Sequence, residues 1–200
     1  MEANTKRDEI LDVAEAMIRD GGFNAFSTRD VADAVGIKSA SVHYHFPTKA
    51  DMGVAVIERY TERFLKRLGD PGRFKGEVRE IVALYVNSFR ETLIRDDKLC
   101  LCAVLGAEIG GLPLEVSGHT RVFFDRNLNW LKRALTGPKM NAAEATAFAV
   151  HMLAALEGGM ILSKALNKGK VFESVATMLK RLCDAVASQH VGRTSGTRDH

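Results

Sequence analysis

Apolar residues recur at three- and four-residue spacing along most of this chain, which predicts helices throughout and no convincing strand or internal repeat. Over residues 6–20, Ile10, Val13, Ala14, Met17 and Ile18 share one helical face, and Gly21-Gly22 stops the element. Ser27 with Asp30 forms a capping box before Val31, Ala32 and Val35, so a short helix is expected to end at Gly36 in a left-handed turn. Ile37 is expected to tuck into the core. Ser39 is expected to cap a second helix running to about Phe46, anchored by Val42, Phe46 and Ala40. Pro47 ends it, and Thr48 with Asp51 opens a helix that carries Val56, Tyr60 and Phe64 to about Leu68, where Gly69-Asp70-Pro71-Gly72 breaks it.

Beyond that break, Val78, Ile81, Val82, Tyr85, Val86, Phe89 and Leu93 form a broad apolar face suited to the inside of a bundle. Residues 99–109 are nearly continuous apolar sequence interrupted by Glu108, and a turn follows at 110–113. A helix over 114–135 bears Val122, Phe123, Leu128 and Leu131. Asn141 with Glu144 caps a helix over 145–166 that contains Gly158-Gly159, where each mid-helix glycine costs about 1 kcal/mol. Close approach of another helix would offset that cost, and 171–187 supplies an amphipathic candidate through Phe172, Val175, Met178, Leu179, Leu182 and Val186. The expected fold is all-α: a three-helix helix-turn-helix domain over 1–50, a helical effector-binding and dimerisation bundle over 51–190, and a disordered tail over 191–200.

The stretch FSTRDVADAVGIKSASVHYHFPTKADM, residues 26–52, carries the candidate chemistry. Its second helix is short of apolar anchors. Ser and Ala keep a backbone close to base edges in a major groove, while Lys, Ser, His and Tyr offer donors to bases and phosphates. The DNA-contacting candidates are Thr28, Lys38, Ser39, Ser41, His43, Tyr44 and Lys49, with Lys49 as a phosphate contact. A polar surface helix is the competing reading.

Net charge does not carry this assignment. The 200 residues total +3, yet residues 1–66 hold nine basic against eleven acidic residues. The local balance carries it instead: Lys38 and Lys49 with no acid between 35 and 50, and Asp30 and Asp33 expected to point away. A 46% hydrophobic content supports a sizeable core, and no apolar run approaches the roughly 18 to 20 residues of a membrane span. The charged N-terminus lacks an apolar signal segment, which places the protein in the cytoplasm. Three cysteines make no disulfide framework. Cys100 and Cys102 are too few for a zinc site; a buried apolar role, a thiol lining a pocket and a redox or electrophile sensor all stay open. No nucleotide-binding, metalloprotease or hydrolase motif is present, which argues against an enzyme.

Residues 10–68 resemble the N-terminal domain of TetR-family transcriptional repressors, through Thr28-Arg-Asp-Val-Ala-Asp-Ala-Val-Gly-Ile37 and His45-Phe46-Pro47-Thr48-Lys49. The family commonly has Leu-Tyr, a variable residue, then His-Phe. Here the order is Val42-His43-Tyr44-His45-Phe46, which leaves His43 and Tyr44 as alternatives for the tyrosine's phosphate contact. The resemblance implies a homodimer joined through its last two helices, bound to a double-stranded operator and released by a small organic effector. A DNA-binding dimer without an effector is the alternative. Leu99-Cys-Leu-Cys-Ala-Val-Leu-Gly-Ala-Glu108, followed by Leu112-Pro113, resembles a branch that includes acrylate-responsive repressors. Tyr85, Phe89, Cys100, Cys102, Glu108, Phe123, Trp130 and His151 are the effector-lining candidates, joined by Phe124 and Met152. Glu108 and His151 stand out as polar groups among apolar neighbours, and plain core packing is the competing reading for the set. No cofactor, metal or membrane partner is expected.

Overall fold

The computed structural model describes the backbone of residues 5–194 and the side chains of all of these except 94, 95 and 186–194. The fold is all-α. In chain order the helices are α1 (Lys6–Gly21), α2 (Thr28–Val35), α3 (Ser39–His45), α4 (Lys49–Leu68), α5 (Val78–Arg90), α6 (Leu101–Ala107), α7 (Leu114–Leu135), α8 (Ala142–Ala165) and α9 (Lys170–Thr194). No strand occurs among the described residues.

Capping chemistry places the helix starts. Thr5 and Asp8 box α1, Ser27 and Asp30 box α2, and Asn141 and Glu144 box α8. At α4 the Thr48 N–H donates to Asp51 Oδ2 at 2.9 Å while the Asp51 N–H donates to Thr48 Oγ1 at 3.0 Å. Each box satisfies orphan amides and sets an anion against the positive end of a helix.

The described chain packs as two compact units. One comprises the chain through Arg67 together with Lys98–Asp125; the other comprises Leu68–Asp97 and the described residues from Arg126 onward. Packing therefore divides the chain elsewhere than at residue 50. In the first unit α1 buries Ile10, Leu11, Ala14 and Ile18, and α4 buries Met52, Val56, Ile57, Tyr60 and Phe64. Arg59 reaches Asp12 at 2.6 Å and Arg63 reaches Glu15 at 2.6 Å, so charge pairs fasten α4 to α1. Phe123 of α7 packs its ring on Tyr60 and Phe64, at 5.7 and 6.0 Å between centroids.

In the second unit α5 buries Val78, Ile81, Val82, Tyr85, Val86 and Phe89, the face expected from their spacing. One π-helical turn, Glu91–Arg95, follows it. Trp130 lies against Phe74 and Tyr85, each at 5.6 Å, and its indole N–H donates to the Gly69 carbonyl at 2.7 Å. The Tyr85 hydroxyl donates to Asn127 Oδ1 at 3.0 Å. Arg90 of α5 and Glu173 of α9 form a two-pronged pair at 2.7 and 2.8 Å, which raises the guanidinium's pKa and lowers the carboxyl's. α8 meets α9 closely at Gly159, where a Cβ would lie 3.2 Å from Val175 Cγ2. That contact answers the cost of one mid-helix glycine. Gly158 has nothing within 4 Å of where its Cβ would be.

Two expectations change. α8 is long and apolar enough to cross a membrane by length and composition, although no single unbroken apolar run is that long. Its most apolar window is 44% buried among the protein's own helices, as befits a bundle helix. The backbone from Val191 to Thr194 continues α9 rather than starting a disordered tail; residues 195–200, and the side chain of Val186, lie outside the described set.

The buried Tyr85–Asn127 bond has a measurable worth. Tyr85→Phe is expected to lower unfolding free energy by about 1 kcal/mol, read from the midpoint of a urea transition at unchanged slope.

Candidate nucleic-acid interface

The reading unit is assembled by short-range rules. Ser27 donates its hydroxyl to Asp30 Oδ2 at 2.8 Å, and its N–H reaches the same oxygen at 2.7 Å, holding the Asp30 carboxyl below its usual pKa. α2 buries Val31 and Ala32. Gly36 then takes φ 74° and ψ 36°, a left-handed conformation, and its N–H reaches back to Ala32 and Asp33 carbonyls. This turn delivers the chain to α3, with Ile37 half-buried rather than fully in the core.

α3 is held by Val42, which is fully buried, and by Phe46 at its end. Arg7 of α1 lies over the Phe46 ring at 5.1 Å from its centroid. The cap differs from expectation. Lys38, not Ser39, is the N-cap, without a side-chain bond, and Ser39 is the first helical residue. Ala40 is exposed, so it is no anchor.

The polar candidates sit where contact is possible. Lys38 and His43 are exposed, Tyr44 is 84% exposed, and Thr28, Ser39 and Ser41 are half-buried. The His43 Nδ1–H donates to the Pro47 carbonyl at 3.3 Å, because a carbonyl can only accept; the neutral ring then presents Nε2 outward as an acceptor. His45 lies between Tyr44 and Phe46, its ring 5.2 and 6.4 Å from theirs.

Lys49 is the surprise of the set. Its ammonium lies over the rings of Phe23 and Phe26, at 4.6 and 4.5 Å from their centroids. Partial burial pushes its pKa below the usual lysine value, and the carboxylates of Glu108 and Asp30 act against that shift. Asp30 is thus close enough to act on Lys49, whatever its place relative to the exposed face of α3. The sequence signal for this platform is Gly22-Phe23 with Phe26 three residues on, which from sequence reads as a helix stop.

The effector candidates fall in different units. Cys100, Cys102, Glu108 and Phe123 belong to the first; Tyr85, Phe89, Trp130 and His151 belong to the second. Tyr85, Phe89 and Trp130 come together, with Tyr85 stacked 6.2 Å from Phe89. His151, expected amid apolar neighbours, is exposed on α8 because its position points away from that helix's buried face. Cys100, Cys102 and Cys183 are free and buried. Among the described residues no group of His, Cys, Asp or Glu could hold a metal ion. Spacing analysis missed Asn127, fully buried, and Glu157, 9% exposed, both polar groups beside Tyr85's hydroxyl or within its electrostatic reach. Burial and Glu157 together push the Tyr85 phenol well above its usual pKa, so it stays a neutral donor. The available signal was one acid in the apolar run of α8.

A family model described as "Bacterial regulatory proteins, tetR family" matches residues 10–56. A TetR transcriptional regulator from Legionella pneumophila superposes with a TM-score of 0.85 at 30% identity, covering 91% of this chain and 99% of that one. This chain belongs to the TetR family. A second TetR-family regulator, from Agrobacterium tumefaciens, is 28% identical with a TM-score of 0.73, covering 88% and 96% of the two chains. The HTH-type transcriptional repressor KstR2 of Rhodococcus jostii is 38% identical over 88 residues, 44% of this chain and 38% of that protein. Its Mycobacterium tuberculosis counterpart is 33% identical over 69 residues, about a third of either chain at 34%. The match to these repressors spans well under half of their length. TetR-family members are transcriptional regulators rather than enzymes; they bind DNA operators and usually form homodimers.

For this TetR-family member, Tyr44→Ala is expected to leave thermal stability within about 0.5 kcal/mol of wild type, since the ring is exposed. The same change should lower affinity for specific DNA, read by fluorescence anisotropy. Loss of stability in step with affinity would return Tyr44 to a packing role.

Proposed function

We propose that this protein is a cytoplasmic homodimeric repressor that binds a pseudo-palindromic operator through α3 and leaves it when a small organic effector binds. The observation that carries the reading is α3 itself: a helix anchored by Val42 and Phe46 that turns Lys38, His43 and Tyr44 outward. On such a helix Ser41 and Tyr44 suit base edges, while Thr28 and Lys49, at the starts of α2 and α4, suit phosphates. Selection from a random duplex pool tests it. Enrichment of sites with two half-sites about one helical turn apart supports a dimer reading successive major grooves, and no enrichment overturns it.

Dimerisation is supported by an uncovered apolar stripe. Val150, Ile161, Leu162 and Leu166 of α8 and Met178 and Leu182 of α9 are all exposed, and Gly158 lies open beside them. Pairing these helices with a second copy makes a four-helix interface. The chain by itself has room for a larger residue at Gly158. Gly158→Leu is therefore expected to keep the helical fold and produce monomer in light scattering, with DNA affinity falling alongside; a mutant that stays dimeric places the interface elsewhere.

The face of Tyr85, Phe89 and Trp130, with Asn127 and Glu157 supplying polar groups, is the proposed effector surface. The resemblance of residues 99–108 to acrylate-responsive repressors makes small organic acids the first compounds to test. Both thiols of that segment are buried, which favours reversible binding over thiol chemistry. The Cys100→Ser/Cys102→Ser variant is expected to keep effector-induced DNA release; loss of release with fold and DNA affinity intact would establish a thiol trigger instead.

A further inference from the structure

Three polar contacts fasten the chain on either side of α6 to the end of α1. Lys98 pairs with Asp20, and Arg19 Nε donates to the Leu99 carbonyl at 2.8 Å, both just before α6. Just after it, the Glu108 carboxylate accepts the Phe23 N–H at 2.9 Å. The last of these is shaped by its surroundings. Gly22 holds φ 88°, and a Cβ at that position would lie 1.8 Å from Glu108 Oε1. Glycine is thus required twice over, by the backbone conformation and by the space the carboxylate fills. The Phe23 ring is fixed on its other side by α4, where a Cβ on Gly53 would lie 2.6 Å from ring atom Cε2. That ring, with Phe26, is the one beneath the Lys49 ammonium.

We infer that Glu108 is a positioning residue of the DNA-reading unit: by holding the Phe23 N–H it sets the two-ring platform that presents the Lys49 ammonium to a DNA phosphate. This rests on the proposed reading in which Lys49 meets the backbone. It moves Glu108 from effector lining, where its place in an apolar stretch put it, to the joint between α6 and the α1–α2 connection. An ammonium has three donors, and the rings take up the sides they face while leaving the remainder for phosphate oxygens. A lysine already confined on such a platform loses less side-chain freedom when it binds. Glu108 does this work through Phe23 and need not touch DNA.

The test needs no operator, because a phosphate contact is independent of sequence. Affinity for a mixed-sequence duplex is measured across a salt series for wild type, Lys49→Ala, Glu108→Gln, Glu108→Ala and the Lys49→Ala/Glu108→Ala pair, with thermal melts confirming that each is folded. Lys49→Ala is expected to lower the salt slope by about one. Glu108→Ala should do the same and weaken binding by about tenfold. Glu108→Gln should restore both, since its amide oxygen still accepts the Phe23 N–H, and the double variant should fall no further than Lys49→Ala alone. If the alanine variant is unfolded at the assay temperature, Glu108→Met keeps the side chain's length without a strong acceptor and is expected to show the same loss. An unchanged slope in the folded acceptor-free variant, or additive losses in the pair, overturns the role of Glu108 while leaving Lys49 as a contact. An unchanged slope in Lys49→Ala removes the phosphate contact and the platform's purpose together.

Discussion

A helix that reads DNA must keep its side chains available, and α3 meets that demand with seven residues and one fully buried side chain within its span, Val42. So short a helix is marginal in water, and a single buried valine contributes only about 1.5 to 3 kcal/mol. Its rigidity has to come from neighbours. Gly36 fixes the approach, Phe46 and the Arg7 guanidinium over it fix the exit, and the capping boxes of α2 and α4 hold the helices on either side. Behind them the Arg59–Asp12 and Arg63–Glu15 pairs tie α4 to α1. The arginine side chains range from partly buried to about half exposed, so the pairs owe their value more to orientation than to strength.

The charge of the reading unit makes sense on the same terms. The acids outnumbering bases over residues 1–66 are largely committed: Asp8, Asp30 and Asp51 accept helix N-termini, and Asp12 and Glu15 hold arginines. A count of formal charges therefore understates how positive the exposed face can be. Lys49 adds a partly desolvated cation whose field is screened less than that of a surface lysine.

What could be read from residues alone was whatever is settled within about four positions. The Ser27–Asp30, Thr48–Asp51 and Asn141–Glu144 boxes, the left-handed Gly36 and the buried face of α5 are all local patterns, and all are present. Errors began where neighbours in space decide. Ala40 is apolar yet faces solvent, His151 lies on the outer side of α8, and Glu108 finds its partner 85 positions away in the chain. α8 was the hardest to orient, because alanine and glycine on every side leave little contrast between its faces. Glu157 and Asn127 escaped for the related reason that a polar residue's burial is set by what packs over it.

Trp130 is the chain's one tryptophan, 7% exposed, hydrogen-bonded to Gly69 and wedged between Phe74 and Tyr85. Its emission is consequently a built-in optical gauge of the second unit, blue-shifted while the indole stays dry and altered by any compound that enters beside Tyr85. The reading unit has no such fluorophore. Titrations followed by intrinsic fluorescence will register events in the bundle with little direct contribution from DNA engagement, and a probe attached near α3 would supply the missing colour.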